Sequence, residues 1–115
     1  MKHEMKLNND PFIKIKDGTK TVELRLNDEK RKLLNVGDVI CFTNNSTLEK
    51  LEVLVENLHS YDNFEELYKH FDKVSMGYND TDVADYRDML EYYSSDEQSK
   101  YGVLGIKIKK LWRMS

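Results

Sequence analysis

The segment Thr21-Val22-Glu23-Leu24-Arg25-Leu26 alternates without a break between polar and apolar residues, a period of two that an extended strand maintains and a helix does not. Val22, Leu24 and Leu26 share one face, and Thr21, Glu23 and Arg25 the other. The pattern predicts a half-buried strand with a charged face. A helix feeds it: Asp10, Pro11, the run Phe12 to Asp17 and then Gly18 read as cap, first-turn proline and glycine exit, predicting a helix over 11–17.

Further along, Val36-Gly37-Asp38 reads as a turn into a strand at Val39 to Thr43, and Asn44 to Thr47 as the turn to an antiparallel strand at Leu48 to Leu58. Asn63 with Glu66 resembles a capping box for a helix whose Phe64, Leu67, Tyr68 and Phe71 form an apolar stripe. A second stripe, Val83, Tyr86, Leu90 and Tyr93, predicts another helix near 82–93. Ser94 to Lys100 is a polar loop or short helix. Tyr101 to Lys109 reads as the last strand, with Leu104, Ile106 and Ile108 inward and Lys107 and Lys109 outward. Strands interleaved with helices in 115 residues predict one α+β domain over 1–115, built on a small mixed or antiparallel barrel.

No apolar run approaches the ~20 residues of a membrane span, and residues 1–9 are too polar for a signal peptide. The lone Cys41 suits a reducing compartment and sits in a buried-strand pattern, so a cytoplasmic protein with a structural thiol is expected. His3, His59 and His70 share no ligand spacing and there is no CxxC, so neither a metal nor a cofactor is expected. Charge is segregated: residues 1–32 carry nine Lys/Arg against six Asp/Glu, residues 49–99 four against fourteen, and residues 100–115 five against none. If the fold joins the two basic ends, a phosphate-attracting patch coexists with the net charge of −3.

Phosphate-loop, nucleophile-elbow and dinucleotide motifs are missing. What remains is Gly18-Thr19-Lys20-Thr21-Val22-Glu23-Leu24-Arg25. Lys20 stands in the turn, and Glu23 and Arg25 project from one strand face with backbones ~7 Å apart, so an ammonium, a carboxylate and a guanidinium converge. An exposed ion-pair ladder of small energetic consequence has the same spacing.

Gly18-x-Lys20-x-x-Glu23-x-Arg25, then Val36-Gly37-Asp38-Val39-Ile40-Cys41-Phe42, then Tyr101-Gly102-Val103-Leu104-Gly105-Ile106 together resemble the ASCH domain in order, over roughly residues 5–109. The resemblance implies a PUA-like fold, a small mixed β-barrel flanked by helices, with a cleft between barrel and helices. It also implies binding of RNA or a nucleotide-derived small molecule, with Lys20, Glu23 and Arg25 at the site; Tyr101 is a further aromatic candidate for ligand contact. Small bacterial members hydrolyse acetylated cytidine with a lysine, a threonine and a glutamate. Lys20 matches the lysine, Glu23 stands at the threonine position, and the glutamate has no counterpart near 76–80. The alternative is thus an amidohydrolase acting on an acylated nucleoside, with Lys20 and Glu23 as its catalytic pair. A third class, a protein-interaction domain, would use the acidic 49–99 face.

Overall fold

A single five-stranded sheet, whose longest strand carries an irregularity between Val55 and Asn57, curls into a half-barrel. The computed structural model describes residues 1–111. In chain order these are β1 (Lys2–Leu7), α1 (Asn9–Asp17), β2 (Val22–Leu26), a 3-10 turn (Arg31–Leu33), β3 (Val39–Asn44), β4 (Lys50–Tyr61), α2 (Phe64–Tyr68), α3 (Lys73–Met76), a 3-10 helix (Tyr86–Glu91), α4 (Ser95–Tyr101) and β5 (Val103–Lys110). The strand order is β1-β3-β4-β5-β2, with β1 parallel to β3 and every other pair antiparallel. The two basic ends therefore do meet, because β2 lies beside β5.

Helix α1 starts two residues earlier than predicted, with Asn8 rather than Asp10 at the cap. Pro11 falls inside the first turn, where its missing N–H is no loss. Gly18 ends the helix in the left-handed region at φ 90°, donating its N–H to the Ile15 carbonyl, a conformation costly to a residue with a Cβ. Phe12 and Ile15 point into the barrel with Met5, Leu7, Ile40, Phe42, Val53, Val55, Leu104, Ile106 and Ile108. Strand β1 has only two buried apolar residues, Met5 and Leu7, and no sequence signal announced it.

A second core lies on the outer side of the sheet, where Val22, Leu24, Leu26 and Val103 pack against Phe64, Leu67, Met76 and Met89. This overturns the exposed charged face predicted for β2. The register pairs Glu23 with Ile106 and Arg25 with Leu104, which face the barrel interior, while Leu24 pairs with Gly105 on the helix-covered side. Both faces of β2 are covered, and Glu23 is 5% exposed.

The 82–93 helix is also corrected. Only Tyr86–Glu91 winds, as a 3-10 helix capped by the Asp85 side chain on the Arg87 N–H. Three residues per turn instead of 3.6 turn Met89 inward and leave Leu90 48% exposed, while Val83, ahead of the helix in irregular chain, is 88% exposed. The predicted helix at 63–71 keeps its Asn63 cap on the Glu66 N–H but ends at Tyr68. The capping box instead forms at α4, between Ser94 and Glu97. Cys41 is buried, as expected.

The entry to β3 is tied to β1 through Asp38, whose carboxylate accepts from His3 Nε2 at 2.8 Å and the Asn35 N–H at 3.0 Å. The His3 bond and then the Asn35 amide are the chief causes that lower the Asp38 carboxyl to about 2. A carboxyl held below its unfolded value stabilises the fold above that value, and the contribution fades as pH drops through the folded one. Urea unfolding should therefore show a component of stability, full above about pH 4, that is lost progressively toward about pH 2. D38N should be less stable at neutral pH and lack that component.

Candidate functional site

β1 and β2 are the two edges of the sheet, and between them opens a cleft of about 480 Å³. The β2 side contributes Lys20, Glu23 and Arg25, the β1 end Lys6 and Asn8, and the helical side Tyr68, Tyr78 and Asp88. The sequence-predicted trio is thus assembled at one place.

Its order comes from Glu23. Oε1 takes the Lys20 ammonium at 3.3 Å and the Leu24 N–H at 3.2 Å, while Oε2 takes Arg25 Nε at 2.9 Å and Nη2 at 2.8 Å. A carboxylate offers about four lone-pair sites, so Glu23 is saturated. Lys20 Nζ also donates to the Met76 carbonyl at 2.8 Å, and Arg25 Nη2 to the Lys6 carbonyl at 2.9 Å. Arg25 thereby spans the gap between the sheet edges. These bonds use two of the three ammonium hydrogens of Lys20 and none of the two on Arg25 Nη1. The cleft's β2 side therefore donates.

Burial pushes the Lys20 ammonium below its ordinary value, against the opposing pull of Glu23. Burial acts on Glu23 in the other direction, but Lys20 and Arg25 outweigh it and hold the carboxyl below the usual range. For Arg25 burial is likewise outweighed, by Glu23, and the guanidinium is raised.

Gly77 closes α3 at φ 111°, and a Cβ there would lie 3.2 Å from Lys20 Cδ. The bare backbone lets the lysine lie flat against the turn, and Lys14 Nζ donates to the Gly77 carbonyl at 2.7 Å. Sequence reading missed Tyr68, Tyr78 and Asp88 as site residues: Tyr68 sits in a stripe that reads as core, and no spacing links Tyr78 to Asp88. Tyr101 is not brought to this cleft. It lies in a separate polar concavity with Asn27, Ser60, Asp62 and Lys100, its ring 5.0 Å from Lys100 Nζ. Among the described residues no group of three or more His, Cys, Asp or Glu is placed to hold a metal ion, and no helix is long and apolar enough to cross a membrane.

Removing one member of a buried, mutually hydrogen-bonded charge cluster leaves the others uncompensated, typically at a cost of about 3–5 kcal/mol. Glu23→Ala should therefore lose stability on that scale in urea unfolding, where an exposed ladder would lose less than about 1 kcal/mol. Glu23→Gln should lose less than Glu23→Ala.

A family model described as the ASCH domain matches residues 5–111. Among solved structures, the hypothetical protein PH0355 is 30% identical with a TM-score of 0.82, the alignment covering 96% of this chain and all of that one. Protein PF0455 from Pyrococcus furiosus is also 30% identical, with a TM-score of 0.69 over 96% of this chain and 98% of its own. The ASCH protein from Zymomonas mobilis, at 14% identity and a TM-score of 0.67 over 94% of this chain and 66% of its own, shares the fold. No curated protein matches. The helix-flanked, curled mixed sheet is the PUA-like architecture of these neighbours, and the chain belongs to the ASCH domain family.

Proposed function

We propose that this ASCH domain is a binding module that takes a nucleotide unit, free or within single-stranded RNA, into the cleft between β1 and β2. The observation that carries the reading is the preorganised donor pair: Lys20 and Arg25, fixed by a saturated Glu23, present spare N–H groups into a cleft walled by tyrosines. Donors held in place before a ligand arrives cost little ordering on binding. Glu23 positions the pair and does not itself contact the ligand.

Three cations, Lys6, Lys20 and Arg25, share the cleft with three carboxylates, Glu23, Asp88 and Glu91. Such a balanced interior favours a neutral planar heterocycle inside, offering a carbonyl or ring nitrogen to the donors, with phosphate left at the rim near the exposed Lys6. Tyr101 contacts only an oligonucleotide long enough to leave the cleft. A second reading, hydrolysis of the amide of an acylated nucleoside such as acetylated cytidine, is favoured by the lowered Lys20 ammonium inside the cleft, which brings a lysine nearer to proton-transfer duty. The saturation of Glu23 weighs against that residue as the acid/base partner.

Titrating a labelled single-stranded RNA pentamer across ionic strength tests the main reading. One or two neutralised phosphates correspond to a log–log slope of about −0.7 to −1.4. Arg25→Lys, which keeps the charge and loses Nη1, should weaken binding at least tenfold, or about 1.4 kcal/mol. Binding absent at low salt sinks the RNA form of the reading. Turnover of acetylated cytidine that Lys20→Ala abolishes would put the hydrolase in its place.

A further inference from the structure

We infer that the helical side of the cleft is an acceptor array, centred on Asp88, that selects amino-bearing nucleobases over their oxo counterparts. The inference rests on the nucleotide-binding reading above and assigns its base specificity.

The Tyr78 hydroxyl lies 2.7 Å from Asp88 Oδ2, 2.9 Å from the Tyr68 hydroxyl and 3.1 Å from the Asp85 carbonyl. Carboxylate and carbonyl oxygens only accept, so the single Tyr78 hydrogen is directed at them. The contact between the two phenols then requires the Tyr68 hydrogen. Both phenolic hydrogens are consumed inside the network, and Tyr68 is left to offer only oxygen lone pairs. Asp88, exposed at the cleft, offers the lone pairs of Oδ1. Burial, together with the bonds to Tyr68 and Asp88, raises the Tyr78 phenol well above its ordinary value and keeps that proton in place. The nearest guanidinium in sequence, Arg87, is held by Asp85 at 3.0 Å. The Asp88 backbone is fixed by its N–H to the Asp85 carbonyl at 3.0 Å.

The cleft is therefore polarised: spare donors on the β2 side from Lys20 and Arg25, and on the helical side an acceptor cluster at Tyr68 and Asp88. A base that fits must turn an acceptor toward β2 and a donor toward Asp88. The exocyclic amines of cytosine and adenine meet that demand, since a carboxylate accepts from a cytosine amine. A carbonyl at the same ring position, as in uracil or hypoxanthine, sets an oxygen against a carboxylate and leaves both groups unpaired.

Calorimetric titration with nucleoside 5′-monophosphates tests this with the phosphate held constant, in two matched pairs: CMP against UMP, and AMP against IMP. In each pair that binds measurably, the amino member should bind at least tenfold tighter. Asp88→Asn, whose amide can donate to a carbonyl, should bring the ratio below threefold while leaving the urea midpoint of this exposed position unchanged. Equal affinities within each pair for the unaltered protein would overturn the inference and leave the binding reading intact. Discrimination that survives in Asp88→Asn would overturn the role of Asp88. Failure of all four nucleotides and of RNA to bind would remove the binding reading itself, and the inference with it.

Discussion

The Glu23 carboxylate accepts from four donors; it thereby couples two sheet edges that backbone pairing leaves apart and reinforces the backbone bond from the Thr21 N–H to the Ser75 carbonyl of α3. Through Lys20 it is linked to the Met76 carbonyl at the end of α3, and through Arg25 to the Lys6 carbonyl on β1. β1 and β2 are opposite edges of one sheet, and edge strands present unpaired backbone groups that a fold must cover or satisfy. Here a side chain spans the seam instead of a ladder of backbone bonds, and the gap it leaves is the cleft. Fold closure and cleft are one arrangement seen from two sides.

That arrangement explains why the charges are where they are. A buried ion cluster is weak evidence of stability, because desolvation opposes the Coulomb attraction. Its use is geometric: once Glu23 is satisfied, Lys20 and Arg25 have few orientations left, and both line the cleft. Gly77 contributes by omission, since a Cβ would press on the Lys20 side chain.

Much of this was legible from residue order alone, and the failures have physical causes. Alternation in 21–26 correctly paired Val22, Leu24 and Leu26 on one face and Glu23 with Arg25 on the other, and the turn after Gly18 set Lys20 beside them. It misjudged their surroundings because charge on a strand face ordinarily marks solvent. Nothing local to β2 says that its other face closes a barrel. The 3.6-residue stripe at 83–93 failed because an Asp85 cap and a 3-10 winding changed the angular step. β1 went unread because Met5 and Leu7 are its only buried apolar residues, and a parallel partner thirty-odd residues on leaves no turn signature. The Tyr78–Asp88 pair, ten residues apart, has no periodicity to betray it.

The register has a kinetic consequence. β2 must find β5 from the far end of the chain, with Val22 opposite Lys107, and β1 must find β3 across the intervening helix and strand. Contacts of such separation lose loop entropy before they return any free energy, and they form slowly. Lys20, Glu23 and Arg25 are neighbours in sequence, yet their geometry waits on Lys6 and Met76, which only the finished topology delivers. A nascent or partly folded chain thus carries the same basic residues without the cleft, and their mutual geometry arrives with the last strand.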